Sequence, residues 1–121
     1  MSEHKHFRTQ QLGDVTVLHL VDQQLLKNLV INEFEDELLD YLKAAPSKKL
    51  LVDFGPVSFC GTSVINALLR AKSRLLKSGG RIKCCGMNKN IRSEFRMLNL
   101  DGTVFEIYES TDDAVAAFVE S

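Results

Sequence analysis

The sequence predicts an α/β fold with a mixed, mostly parallel sheet of about 4–5 strands and about 4 helices. Three observations carry that reading. After an opening hairpin, short strand-like runs alternate with longer segments of helical periodicity. The strand-like runs are apolar on both faces, as in a sheet covered on both sides. Gly and Pro fall between these segments, as punctuation.

The elements follow in order. "FRTQQLGDVTVLHLV" reads as a hairpin turning at Gly13-Asp14. "KNLVINEFEDELLDYLKAAP" reads as a helix, with Val30, Ile31, Phe34, Leu38, Tyr41 and Leu42 at helical spacing. Asn28 or Asn32 could cap it, Asn32 with Glu35 resembling a capping box, and Pro46 stops it. Leu50 to Phe54 is a short buried strand. Thr62 to Ser78 is a helix with Ile65, Leu68, Leu69, Leu75 and Leu76 inward, ended by Gly79-Gly80. "RIKCCG" is a strand. "NKNIRSEFRMLNL" is a helix with Ile91, Phe95 and Leu98 on one stripe, and "VFEIYE" is the last strand. Thr111 is the expected cap of a final helix, with Asp112 and Asp113 in its first turn where the dipole favours them. The order is β-β-α-β-α-β-α-β-α, and the crossovers should be right-handed.

Composition bounds the function without naming it. The chain has 121 residues, enough for one domain spanning 1–121, with residues 1–6 expected to be flexible. The formal net charge is -1 and 45% of residues are hydrophobic, which argues against disorder. No apolar run approaches the ~20 residues that span a bilayer, and no apolar h-region opens the sequence. The expectation is a cytoplasmic protein with reduced cysteines and no membrane insertion. Ten basic residues and one acid lie between Lys48 and Arg92, while acids gather in the first helix and at the C-terminal end. Such separation marks either a docking face or merely solvated helix faces. Nucleic acid is not expected, because the basic stretch lacks interleaved surface aromatics.

Few residues in the sequence could carry chemistry. His4 and His6 lie in a polar N-terminus read as frayed, and His19 falls within a strand. No H-E-x-x-H, C-x-x-C, P-loop or G-x-S-x-G occurs. Cys84-Cys85 sits at a strand end, where one thiol should be buried and its neighbour turned outward. Cys60 also follows a strand. These three read as small core residues, with a thiol nucleophile or metal site as the rival. The expectation is no enzyme, no cofactor and no metal.

The stretch "FCGTSV" remains. Ligands of parallel α/β sheets bind at such strand-to-helix junctions. Gly61 is expected to take backbone angles closed to other residues. Thr62 and Ser63 place two hydroxyls at a helix N-terminus, where an anion is favoured. A phosphate on Thr62 would add nearly two negative charges there and repel an apolar or acidic partner. The competing reading makes Thr62 or Ser63 a plain N-cap.

At this point the order of elements and the local residues agree on a family. "LLVDFGPVSFCGTSVINALL" is similar to the pattern "v-x-F-x-D-S-S-G-L" of the STAS domain, the fold of bacterial anti-sigma factor antagonists. Asp53 matches the strand's acid, and Val57 and Phe59 match the lead-in. Thr62 stands at the phosphorylated Ser and Ser63 at the second Ser. Gly61 replaces the family's Asp, and Val64 replaces its Gly, adding bulk near the partner side. The downstream "GGRIKCCGMNKNIRSEFRMLNLDGTVFEIYESTDDAVAAF" follows the family's rhythm, so the resemblance covers almost the whole chain. It implies a partner switch. The unmodified domain binds a GHKL-type serine/threonine kinase that is also an anti-sigma factor, phosphorylation of Thr62 releases it, and a PP2C-type phosphatase resets it. Thr62 is the implied acceptor, with Ser63 second, and Gly61, Thr62, Ser63, Asn66 and Arg70 are the implied partner contacts. Other STAS modules act without phosphorylation, as scaffolds of signalling complexes or soluble subunits of transporters, and the replaced Asp and Gly favour that alternative.

Overall fold

A computed structural model describes residues 5–22, 24–25, 28–44 and 48–120. The chain runs β1 (Phe7–Leu12), β2 (Val15–Leu20), β3 (Gln24–Leu25), α1 (Asn28–Ala44), β4 (Lys49–Asp53), β5 (Phe59–Cys60), α2 (Thr62–Lys77), β6 (Arg81–Cys85), α3 (Lys89–Met97), β7 (Glu106–Tyr108) and α4 (Thr111–Glu120). The main sheet has the order β1-β2-β4-β6-β7. Among the described residues, β1 and β2 pair antiparallel and the other pairs of this sheet are parallel. β3 and β5 form a separate parallel pair, with Leu25 opposite Cys60. These two-residue strands are too short to show alternation in sequence.

The sheet is covered on both faces, which is why its strands are apolar on both sides. One face carries Leu18, Leu20, Leu50, Val52, Ile82 and Cys84 against α1, α2 and α3. The opposite face carries Val15, Val17, Leu51 and Cys85 against Ala114 and Phe118 of α4. Two-sided cover also corrects the expectation for the vicinal thiols: Cys84 and Cys85 point to opposite faces, yet both are fully buried. Fully burying one Leu or Phe side chain is worth roughly 1.5–3 kcal/mol, so this core supplies the driving force. Phe95 of α3 stands edge-on to Phe54 and Phe105, with centroids 6.2 and 5.7 Å away.

Several ends differ from the sequence reading. α1 begins at Asn28, so Asn32 lies inside it, exposed, and no capping box starts there. Pro46 lies outside the described residues. Ser110, not Thr111, caps α4, its hydroxyl accepting from the Asp113 N–H at 3.1 Å. Leu76 and Leu98 were expected inward but are 57% and 48% exposed, because Leu76 sits in the last turn of α2 and Leu98 just past the end of α3. Val64, Ala67 and Ala71 take the buried positions on α2 with Ile65, Leu68 and Leu75. α2 ends as the double glycine implies. Gly79, at φ 80°, and Gly80 donate to the carbonyls of Leu76 and Leu75, closing a Schellman motif. Residues 1–4 lie outside the described residues; His6, expected in a flexible end, is buried.

Two glycines at positive φ give a graded test. Gly86 sits at φ 73°, and a Cβ there would stand 2.7 Å from Asp53 Oδ1 and 3.2 Å from the Gly55 nitrogen. Gly102 sits at φ 83° with open space around it. Gly102→Ala should cost about 1–2 kcal/mol from backbone strain alone. Gly86→Ala adds a collision with Asp53 and should cost about 2–4 kcal/mol. Urea denaturation of the two variants reads the difference as a shift in midpoint.

Candidate docking site at the start of the second long helix

The site begins with a carboxylate. Asp53 closes β4, and its Oδ1 accepts from the Gly55 N–H at 2.9 Å. Its Oδ2 accepts from Nδ1 of His19, on β2, at 2.8 Å. The Val57 N–H returns to the Phe54 carbonyl at 2.9 Å, making a tight turn through Gly55-Pro56. That turn releases the chain into β5. A second tether comes from Asn88, which caps α3. Its Oδ1 accepts from the Ile91 N–H while its Nδ2 donates to the Ser58 carbonyl, both at 2.9 Å. Nothing in the sequence pattern singled out His19 or Asn88 for this work; N-cap spacing could have found the first half of the Asn88 role.

Between these anchors the chain enters α2. Gly61 is the N-cap residue, at φ -88° and ψ 169°, with no side-chain cap. Those angles are open to any residue, so the expected need for glycine is corrected. Neither hydroxyl caps the helix: Thr62 is its first residue and Ser63 its second, and both are exposed. The first N–H bonded back along the helix is that of Val64, to the Gly61 carbonyl at 3.1 Å. The amides of Thr62 and Ser63 come before it, at the positive end of the helix dipole, with no acidic residue in the first turn. A doubly charged phosphate placed on Thr62 would therefore meet a favourable field rather than a repulsive one.

Asn66 and Arg70 continue the same exposed stripe at four-residue steps, so the structure brings the expected contact residues onto one face. Arg70 is engaged there by Glu35 of α1. Val64 is fully buried, so its bulk fills the core and not the docking face, contrary to expectation. Phe59, read from sequence only as an apolar lead-in, is half exposed three residues before Thr62 and offers an aromatic contact.

On α2 the basic stretch continues this face, exposed Arg74 following Arg70 at one further four-residue step, but beyond α2 its members Lys83 and Arg92 are engaged elsewhere. Lys83 is buried, paired with Glu106 and set over the Tyr108 and Phe118 rings. Arg92 is held by Asp101. Lys43, Arg70, Arg74 and Lys77 line a groove of about 620 Å³ between the later turns of α1 and α2. Three of them, Lys43, Arg74 and Lys77, sit in last turns, where cations offset the helix dipoles. Lys77 lies fifteen residues along α2 from Thr62, about 22 Å.

The thiols are poorly suited to nucleophilic chemistry. Burial pushes Cys60 up to about 12 and Cys85 up to about 11, and raises Cys84 further. Among the described residues, no group of three or more His, Cys, Asp or Glu could hold a metal, and no helix is long and apolar enough to cross a membrane.

Two predictions follow from this geometry. Gly61→Asp supplies the missing cap and should raise stability by about 0.2–0.5 kcal/mol in urea melts. Alkylation by iodoacetamide at pH 8 should be slow at all three thiols in the folded chain and complete within minutes in denaturant, read by intact mass.

Comparison with known proteins agrees with the architecture. A STAS domain protein from Planctomyces limnophilus, described as an anti-sigma-factor antagonist, superposes with a TM-score of 0.83 at 22% identity, covering 93% of this chain and 97% of that one. SpoIIAA, a Bacillus cell fate determinant, in its phosphorylated form gives a TM-score of 0.69 at 15% identity, covering 93% and 98%. The murine anion transporter Slc26a9 gives 0.72 at 20% identity, covering 93% of this chain but 19% of the transporter. No curated protein matches the sequence. At these identities the superpositions establish the fold. The family sequence model of the STAS domain matches residues 6–114, and the chain therefore belongs to the STAS domain family.

Proposed function

We propose that this protein is an anti-sigma factor antagonist acting in the cytoplasm as a non-enzymatic partner switch. Unmodified, it binds a GHKL-type serine/threonine kinase that doubles as an anti-sigma factor. The docking surface is Gly61, Thr62, Ser63, Asn66 and Arg70, with Phe59 beside them. Phosphorylation of Thr62, or secondarily Ser63, breaks the complex, and a PP2C-type phosphatase restores it. One observation carries this reading: two exposed hydroxyls stand at the uncapped N-terminus of α2, and neither caps the helix. A residue free of capping duty can be charged without loosening the helix. The known phosphorylated form of SpoIIAA, on the same fold, supports the reading.

A second reading has its own support. Gly61 occupies the position of the family's Asp, and the same fold forms a minor part of an anion transporter. In that case the domain is a phosphorylation-independent scaffold or transporter subunit. Co-purification with a transporter from the source cell, at unchanged yield for Thr62→Ala, would select it.

The test of the main reading is direct. Incubation with the cognate kinase and ATP should add one phosphate, mapped by mass spectrometry to Thr62 and lost in Thr62→Ala. Thr62→Glu should weaken kinase binding at least about tenfold while moving stability by less than about 0.5 kcal/mol. An unmodified Thr62-Ser63 peptide beside a phosphorylated control substrate would overturn the proposal.

A further inference from the structure

The N-terminal end of β1 is fastened by an arrangement that the docking reading does not use. His6 is 4% exposed, and both of its ring nitrogens face carboxylates. Nδ1 lies 2.5 Å from Asp22 Oδ2, and Nε2 lies 3.0 Å from Glu33 Oε2. Carboxylates only accept, so a ring serving both must carry a proton on each nitrogen. The backbone completes the fastening. The N–H groups of Lys5 and His6 donate to the two oxygens of Glu37, at 2.6 and 3.0 Å. The Val21 N–H donates to the His6 carbonyl at 3.2 Å. Lys5 Nζ adds an ion pair to Glu33 at 3.2 Å.

The position of Asp22 gives this cluster its reach. Asp22 lies between β2 and β3, two residues before Gln24. β3 pairs with β5, Gln24 against Phe59 and Leu25 against Cys60. Cys60 is followed at once by Gly61 and Thr62. A single buried ring thus joins the start of β1 and α1 to the short strand pair that delivers the chain to α2.

We propose that His6 is a protonation-dependent latch: its doubly protonated ring, held by Asp22 and Glu33, fixes the β3–β5 pair and through it the Gly61–Thr62 entrance of α2. The charged groups facing it are Lys5 on its own segment, Asp22 after β2, and Glu33 and Glu37 on α1. Loss of one proton leaves one ring nitrogen as an acceptor facing a carboxylate, a repulsive contact in a buried place.

The sign of the pH effect follows from the same groups. Burial works against the charged ring, but the hydrogen bonds to Glu33 and Asp22 and the charges of Asp22 and Glu37 outweigh it, so the His6 pKa stands above the ordinary 6.5. Its stabilisation is complete below pH 6.5 and is lost as pH rises through the folded-state value. Glu33 is held below its ordinary 4.5 by the His6 hydrogen bond and by Lys5, so its share is present above pH 4.5 and lost in acid. The latch is fully closed between about pH 4.5 and 6.5 and opens on the alkaline side.

Only the consequence for docking rests on the reading of Thr62; the latch itself is measurable without a partner. The experiment uses the full chain, with ring resonances of His6 followed by NMR and amide exchange read at residues 24–25 and 59–60, corrected for intrinsic rates. The ring should titrate above 6.5, and protection at both strands should fall about tenfold for each unit by which the titration midpoint exceeds that value. His6→Gln should show the low protection already at pH 5.5 and no pH response. If His6→Gln fails to fold, Asp22→Asn carries the test. It leaves the Glu33 contact intact and should lower protection at 24–25 and 59–60 while sparing β4 and β6. A ring midpoint at or below 6.5, or protection at 59–60 that ignores pH, or Asp22→Asn behaving as wild type, would overturn the latch. Phosphate mapping on Thr62 fails or succeeds independently of these readouts, so the two proposals fall separately.

Discussion

The carboxylate of Asp53 is the constraint on which the working end of the molecule depends. It is the polar terminus of a strand whose neighbours Leu51 and Val52 are fully buried, one on each face of the sheet. One oxygen takes the N–H of Gly55, two residues past the end of the strand, and the other takes a ring N–H from β2. Gly86, at the end of the next strand, has to lack a side chain because the same carboxylate occupies that space. Three chain segments are thereby fixed at the carboxyl edge of the sheet, where parallel α/β folds build their sites. The junction before α2 gets its direction from this fixed point, and the Asn88 tether adds a second. A rigid approach and an exposed first turn are what a docking surface needs, because little ordering remains to be done on binding.

The division between what the residues announced and what they hid follows from length scale. Helical periodicity over "INEFEDELLDYL" or "VINALLRAKSRLL" repeats often enough to fix both the element and its buried face. β3 and β5 are two residues each, shorter than one period of alternation plus its flanks. The caps slipped by one residue for a related reason. "GTS" and "STDD" each offer adjacent candidates, and only the backbone angle decides which one precedes the helix. At α2 that one-residue shift bears on the proposed docking role, because it moves Thr62 from cap to first turn and leaves its hydroxyl out of the cap.

The site was legible as a position but not as a surface. Thr62, Ser63, Asn66 and Arg70 share a stripe by simple helical spacing. Val64 was misjudged, and Phe59 was given no orientation, because a strand–loop–helix junction breaks both periodicities at once. One turns outward and the other inward, with no repeat to announce either. The long-range partners stayed hidden: His19 with Asp53 and His6 with Asp22 and Glu33 join residues 34, 16 and 27 positions apart. Burial of His6 is the clearest case. A polar, histidine-containing N-terminus reads as solvated, and it takes Asp22 together with the acidic face of α1 to make the buried ring tolerable.

The central claim is that the entrance of α2 accepts two negative charges without disturbing the fold beneath it. It is tested most directly by comparing amide NMR spectra of the chain before and after stoichiometric phosphorylation at Thr62. The account predicts shifts confined to residues 59–66 and 88–91, with the amides of β2, β4 and β6 unmoved. Shifts spread through those strands, or collapse of dispersion across the spectrum, would contradict it.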